Sequence, residues 1–227
     1  MKTSEISDFE SLHAVLKGYR ADKRWVFRGH ANPDWKLIPK AGRPPYSNVN
    51  DKVVFESWKR RAIEYVIYQP SSDWEWLSIA QHHRLATRLL DWTQNPLNAT
   101  FFAVREEIDS DSMVYAASFK FRALPEECHP MNCPGISIYR PSGVIPRITR
   151  QGGVFSIHED PKISLEAGSD ALNDLHRIII KKSHRVSLLA ELSYYGINSA
   201  TLFPDLDGLS DFVNWTIESK EYWNILA

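Results

Sequence analysis

Apolar residues recur every three or four positions in four segments of the first half of the chain, which predicts four amphipathic helices. Polar capping residues precede three of these segments, as capping boxes at 7–10 and 72–75 and as Asn95 followed by proline. Between the first two helices, the aromatic and β-branched segment 24–28 predicts a strand that ends at the next glycine. Residues 30–50 contain four prolines and predict a long surface loop.

The second half changes to short segments rich in β-branched and aromatic residues. They predict strands at 113–119, 136–139, 144–149, 154–158 and 175–181, and helices follow at about 184–194 and 204–218. This order is typical of the α+β class. We expect a single domain over residues 1–227, with its core at about 24–213. Its N-terminal helices would pack on a mostly antiparallel β-sheet, whole or split.

Composition narrows the function classes. The chain has 227 residues and a formal net charge of −1, so no overall charge attracts it to nucleic acid or to an acidic membrane. No window reaches ~20 consecutive apolar residues and no apolar segment follows the first residues, so we expect a cytoplasmic protein without a membrane partner. No glycine-rich Rossmann or Walker loop follows a strand.

The two cysteines, Cys128 and Cys133, fit a reducing compartment. A zinc site could use both with His129, but a second ligand pair at the usual spacing is missing. We therefore expect no metal. The adjacent His82 and His83 point about 100° apart on a helix, so they do not face one metal together. A histidine that is hydrogen-bonded in the core or lies at the rim of a pocket is the preferred interpretation for His82.

Arg28 stands at the end of the predicted early strand, before Gly29 and His30. A guanidinium there can bind a phosphate or carboxylate through two parallel hydrogen bonds. A neighbouring glycine lets a ligand approach the backbone closely. The structural alternative is an arginine paired with a carboxylate of the fold.

The densest polar cluster of the chain lies at 79–96, between apolar flanks that favour a pocket lining. Arg88 and Asp91 are three residues apart and can pair locally. Thr87 offers a hydroxyl group, and Trp92 offers a ring for stacking. The alternative is a polar turn between two helices that an Arg88–Asp91 pair holds.

Two later segments also carry polar groups. Residues 147–155 predict a strand broken by two glycines, where Gln151 presents an amide; the alternative is a hairpin turn. Residues 201–209 predict a strand that leads into a helix. Asp205 and Asp207 lie in the first turn of that helix, where carboxylates favour the helix dipole, and this interpretation is preferred over a metal-binding pair.

Together these segments resemble the FRG domain family. The resemblance rests on four ordered motifs that span about residues 24–213, at 25–30, 80–93, 150–155 and 196–209. One departure is Arg84-Leu85-Ala86, where the family usually reads Gly-Leu-Pro; it leaves Thr87, Arg88 and Asp91 in place. The resemblance implies a domain common in bacteria and their phages but does not itself imply an activity.

The order of the polar residues is similar to that of ADP-ribosyltransferases, which implies an NAD-using effector of toxin or phage-defence systems with an ADP-ribosyltransferase-like arrangement. In that superfamily an early arginine or histidine holds NAD, a hydroxyl-bearing element follows, and a late polar residue acts at the ribose. NAD would be the substrate, and no metal is needed. The late residue here is Gln151 rather than glutamate, and Glu159 and Glu166 lie nearby.

The predicted site has two groups of residues. Those expected to act in catalysis are Arg28, Arg88, Asp91 and Gln151. Those expected to bind the nucleotide are Phe27, Gly29, His30, His82, Thr87 and Trp92, with Phe27 or Trp92 stacking on nicotinamide.

The alternative function is a non-catalytic module that recognises a nucleotide, nucleic acid or protein. It would use Arg28, His30, His82, Arg88 and Arg150. A metal-dependent nuclease built on Asp91, Asp205 and Asp207 would lack the carboxylate clusters that such enzymes place near histidines. The expected partners are a small-molecule nucleotide and a macromolecular target.

Overall fold

A computed structural model of the chain describes residues 2–106, 108–143 and 146–219. The fold is α+β, as predicted, with a single seven-stranded sheet. The strands are β1 (Lys2–Ile6), β2 (Trp25–His30), β3 (Leu89–Thr93), β4 (Ser112–Phe119), β5 (Ile136–Tyr139), β6 (Gly153–His158) and β7 (Leu172–Ile180). The α-helices are α1 (Phe9–Lys17), α2 (Asp51–Ala62), α3 (Asp73–His82), α4 (Pro96–Val104), α5 (Pro146–Arg150), α6 (Arg185–Tyr194), α7 (Ser199–Leu202) and α8 (Leu206–Glu218).

The strand order is β1-β7-β4-β2-β3-β6-β5, and all neighbours are antiparallel except β1 and β7. The strands β2 and β3 share one register pair, Phe27 with Thr93, whereas β2 and β4 share six. We call the narrow join between β2 and β3 the seam. The sheet is therefore whole rather than split, although its two halves barely meet. The ADP-ribosyltransferase-like arrangement stays a prediction.

Helices cover one face of the sheet and loops cover the other. On one side of the seam α1, α4 and α6 bury Phe27 against the sheet, and on the other side α2 and α3 bury Leu89. The opposite face carries Val26 and Trp92, and the loop residues Leu37 and Leu165 pack over it. Because side chains alternate along a strand, Arg28 and His30 point towards this loop-covered face while Phe27 points to the helices.

Gly29 is required for helix packing, a role that the sequence did not predict. A Cβ atom at this position would lie 2.0 Å from the carbonyl oxygen of Ala99 and 2.5 Å from the amide nitrogen of Ala103. The backbone of α4 therefore rests directly on β2. The strand also continues through Gly29 to His30 instead of ending there.

The predicted N-terminal caps of α3 and α4 are confirmed. Ser72 accepts a hydrogen bond from the Glu75 amide at the start of α3, and Asn95 caps α4 ahead of its N1 proline. At α1, however, the cap is Asp8, which pairs with Ser11, rather than the predicted box at 7–10. The reason is that an aspartate one residue later reaches the same free amides.

Four element predictions were wrong. The strand β3 lies inside the block predicted as a polar cluster or turn, and β1 was not predicted. The predicted strand 144–149 is helical from Pro146 onward, while residues 144 and 145 lie outside the described part of the chain. The segment predicted as a strand at 201–203 belongs partly to α7. Among the described residues, no helix has both the length and the hydrophobicity to cross a bilayer.

Candidate functional site

A cavity of about 370 Å³ opens at the seam. Its walls come from β2, β3 and β6, from the C-terminal end of α3, from α4 and α5, and from the loop after β2. Eight of the ten predicted site residues line it: Phe27, Arg28, Gly29, His30, His82, Asp91, Trp92 and Gln151. Thr87 and Arg88 are not among the lining residues.

Arg28 bridges the seam. Its Nη1 donates to the carbonyl oxygen of Asp91 at 2.7 Å and lies 3.6 Å from Oδ2 of the same residue, while its Nε donates to Nε2 of His30 at 3.0 Å. Burial lowers the pKa of the guanidinium, and the Asp91 carboxylate opposes that shift. Among the described residues Nη2 has no acceptor, so this donor remains available to a ligand.

His30 holds Arg28 in place as a neutral ring. It is 2% exposed, and its Nδ1 lies 3.1 Å from the carbonyl oxygen of Trp35. Because Nε2 accepts from Arg28, the proton resides on Nδ1 and is donated to Trp35. Burial and the charges of Arg28 and Arg43 lower the pKa of His30 to about 3. His30 is therefore a positioning residue rather than a ligand.

Asp91 is held by a chain of side-chain hydrogen bonds. Thr87 Oγ1 donates to Gln81 Oε1 at 2.5 Å, and Gln81 Nε2 donates to Asp91 Oδ2 at 2.9 Å. The Asp91 side chain is 57% exposed at the cavity, whereas Thr87 is buried. Thr87, predicted to contact the nucleotide, instead orients Gln81, and through it the Asp91 carboxylate.

Arg88 lies in a buried ion pair away from the cavity. Its Nε and Nη2 donate to Asp51 at 2.8 and 2.9 Å, and its Nη1 donates to the carbonyl oxygens of Met131 and Glu159. The predicted local pair with Asp91 was wrong, because Asp91 pairs with Arg28 across the seam. Every donor nitrogen of Arg88 thus binds a group of the fold, and Arg88 lies outside the candidate site.

The ring available for stacking is neither of those predicted. Phe27 packs into the core edge-to-face on Tyr19, and the Trp92 indole donates to Ser156 Oγ at 3.0 Å. Both rings are 3% exposed, whereas Trp35, at the cavity wall, is 45% exposed. A loop aromatic beside two prolines gave no sequence signal of its own.

Gln151 lines the cavity at the turn before β6. Its backbone carbonyl accepts from Thr93 Oγ1 at 2.6 Å and from Asn98 Nδ2 at 3.0 Å, and its side-chain Nε2 donates to the Leu202 carbonyl at 3.1 Å. The glycine break is a turn in which Gly152 has φ +59°, between α5 and β6. The expectation that this segment is one strand was wrong.

The cavity also collects charged residues that sequence reasoning did not select. Arg43 donates twice to the Ile38 carbonyl, and the guanidinium of Arg147 lies 4.1 Å from the ring centre of Phe203. Arg84 and Glu106 are exposed lining residues. The lining of the cavity thus includes four arginines and two carboxylates, Asp91 and Glu106. All four additions lie in loops or at helix ends, where periodicity carries no signal.

His82 lies at the cavity wall, as expected for a rim histidine. Burial and the neighbouring charges of His83 and Arg147 lower its pKa to about 4, so the ring is neutral at pH 7.

The remaining acidic candidates serve the fold. Glu159 accepts from the Gly135 amide and Glu166 from the Leu37 amide. Asp205 is the N-cap of α8, which agrees with the preferred helix-dipole interpretation. In the part of the chain that the structure describes, no three His, Cys, Asp or Glu residues group as a metal site. The cysteines are free thiols with their sulfurs 2.7 Å apart.

Fold and site together define a mixed α+β protein with an arginine-lined pocket at the seam of its sheet. The family model of the FRG domain matches residues 23–112, which confirms the predicted family: the chain carries an FRG domain over these residues. The matched segment contains both sides of the seam, including Arg28 and Asp91, whereas Arg147 and Gln151 follow it. No curated protein and no solved structure matches the chain.

Proposed function

We propose that the seam pocket binds NAD and that the protein cleaves its nicotinamide–ribose bond, as an ADP-ribosyltransferase-like effector. The observation that carries this proposal is Arg28, a half-buried guanidinium at the cavity wall that two hydrogen bonds hold, with Nη2 left without an acceptor among the described residues. A guanidinium oriented in this way is suited to a pyrophosphate oxygen. Arg43, in the same cavity, supplies a second positive charge for that group.

The other parts of NAD have matching groups. The exposed ring of Trp35 offers a stacking face for nicotinamide or adenine. The Asp91 carboxylate, which Gln81 and Arg28 orient, would accept a ribose hydroxyl and stabilise positive charge at the anomeric carbon. Asp91 thus takes the place of the late glutamate that the sequence lacks at Gln151.

The reaction conserves atoms and charge without a metal. The bond between the anomeric carbon and nicotinamide breaks, and its electron pair leaves with neutral nicotinamide. Water or a nucleophile of a target then attacks the oxocarbenium-like carbon and loses its proton. The ordered Asp91 charge acts where positive charge develops, so it lowers the barrier more than it raises affinity for NAD.

Isothermal titration calorimetry and nicotinamide release test the proposal. We expect saturable NAD binding. Arg28→Lys should weaken it about 10- to 100-fold, because a lysine ammonium cannot reproduce the two parallel hydrogen bonds of a guanidinium. Arg24→Lys, an exposed arginine on the neighbouring turn, is the matched control. Asp91→Asn should leave NAD affinity within about threefold but slow nicotinamide release about 100-fold. Wild-type protein that shows no saturable NAD binding would refute the proposal.

One observation favours a second candidate, a nucleotide-recognition module without catalysis. Both Gln81 and Arg28 already contact Oδ2 of Asp91, which reduces the freedom of this carboxylate to follow a reacting ribose. NAD binding without nicotinamide release, equal in wild type and Asp91→Asn, would assign the pocket to recognition alone.

A further inference from the structure

Arg84 is the one non-glycine residue with a positive φ among the described residues, at +67°. It follows the C-cap of α3. Its amide donates to the Gln81 carbonyl at 3.0 Å, and the Leu85 amide donates to the Ala80 carbonyl at 2.9 Å. This pair of hydrogen bonds is the Schellman motif, which strongly favours glycine at the position Arg84 occupies. An L-residue with a side chain is strained there.

The same chain closes α6 with the same motif and uses glycine. The Gly196 amide donates to the Ser193 carbonyl at 2.9 Å, the Ile197 amide donates to the Leu192 carbonyl at 2.8 Å, and Gly196 has φ +77°. Helix closure alone therefore does not require arginine. What distinguishes the two sites is their surroundings: Arg84 lines the seam cavity, whereas Gly196 does not.

Arg84 is exposed and lines the cavity together with Arg28, Arg43 and Arg147. Lys40 Nζ donates to the Arg84 carbonyl at 2.9 Å and lies 5.2 Å from the ring centre of the exposed Tyr46. Burial lowers the pKa of Arg147, and the nearby charge of Arg84 lowers it further. Arg84 and Lys40 thus place two positive charges at a strained backbone position, and such charges can bind an anionic group of a ligand.

We propose that Arg84 and Lys40 bind a second phosphate group of the ligand, outside the pyrophosphate that Arg28 holds, and thereby set the specificity of the pocket. This inference rests on the proposed nucleotide site. The additional phosphate belongs either to a small nucleotide such as NADP or to the next unit of a polynucleotide. Both sources present the same chemistry to a guanidinium and an ammonium.

Arg84→Gly tests the proposal, because it should stabilise the protein and weaken binding at the same time. Glycine relieves the strain, so the melting temperature should rise by about 2–4 °C. Calorimetry with NAD and NADP should show that wild type prefers NADP about tenfold and that Arg84→Gly loses this preference. Arg84→Ala should lose the preference without the thermal gain. Gly196→Arg, the matched control, should lower the melting temperature and leave the NADP-to-NAD ratio unchanged.

The source of the phosphate is separated by a second pair of probes, the tetranucleotide dT4 and thymidine monophosphate. A tenfold preference for dT4 that Arg84→Gly abolishes, without a preference for NADP, assigns the phosphate to a polynucleotide. The second-phosphate proposal is overturned, and the proposed function stays intact, if wild type binds NAD but prefers neither NADP over NAD nor dT4 over thymidine monophosphate. A preference that Arg84→Gly retains overturns it as well. If wild type binds none of the four probes, both proposals fail.

Discussion

We expect the protein to lose about 2.4 kcal/mol of stability between pH 6 and pH 5 through two buried histidines, His30 and His158. They are 2% and 0% exposed and form equivalent networks. In His158, Nε2 lies 3.2 Å from Ser156 Oγ and Nδ1 lies 3.2 Å from the Ile163 carbonyl. Because Nδ1 faces a carbonyl oxygen, it carries the proton of the neutral ring, so Nε2 accepts from the Ser156 hydroxyl. Protonation of either histidine at Nε2 therefore removes an acceptor that its neighbour needs.

The sign and size follow from the pKa values. Burial lowers the pKa of His158 to about 4, and burial with the charges of Arg28 and Arg43 lowers that of His30 to about 3. In the unfolded chain both titrate near ~6.5. Above that pH both states are neutral and the stability is fully present. Below that pH the two histidines bind protons in the unfolded state but stay neutral in the folded state, so the free energy of unfolding falls as pH falls. The loss is about 1.2 kcal/mol per histidine from pH 6 to pH 5.

Urea unfolding at constant ionic strength at pH 7, 6 and 5 measures this effect. His30→Gln and His158→Gln should each remove about 1.2 kcal/mol of the loss between pH 6 and pH 5. His13→Gln, at an exposed position of α1, is the matched control. If His30→Gln loses as much stability as wild type between pH 6 and pH 5, then His30 is not a buried neutral ring and the account of how Arg28 is held fails.

Two substitutions test the structural roles of other motif residues. Arg88→Met should lower the free energy of unfolding in urea by about 3–5 kcal/mol, because it leaves the Asp51 carboxylate, 11% exposed, without its partner. Arg24, which forms an exposed ion pair, provides the control: Arg24→Met should lower it by less than about 1 kcal/mol. A loss below 1 kcal/mol for Arg88→Met would contradict a buried ion pair. Gly29→Ala should lower the free energy of unfolding by about 3 kcal/mol or more, because its Cβ meets the backbone of α4. Gly18→Ala, at an open helical position, should leave it nearly unchanged. Equal melting temperatures of the two variants would contradict the close contact at Gly29.

The lining of the candidate site could be predicted where local pattern and position in the chain carry the information. The strand around Arg28 and the helices near residues 73 and 96 have clear sequence patterns, so these elements could be placed along the chain. The two segments that approach the seam were then expected to share a pocket, and Arg28 and Asp91 do line it together. That Arg28 binds the carbonyl of Asp91 could not be predicted, because it depends on how far β2 and β3 separate.

Partner choice over long distances in sequence explains the errors. Arg88 pairs with Asp51, 37 residues away, and no spacing rule distinguishes that carboxylate from the nearer Asp91. The strand β3 was overlooked because its five residues are surrounded by polar groups, and only its pairing with β6 defines it. The segment at Arg147 has the β-branched residues of a strand, yet Pro146 starts a helical turn there.

The seam has a mechanical consequence. Every other pair of neighbouring strands in the described sheet shares at least four register pairs, whereas β2 and β3 share one and are tied in addition by the Arg28 guanidinium. The strand pair of this sheet with the fewest register pairs thus lies at the candidate pocket. A ligand that contacts both Arg28 on β2 and Asp91 on β3 would link the two strands across the seam. Occupancy should therefore slow amide hydrogen exchange in both strands, even where the ligand touches neither backbone.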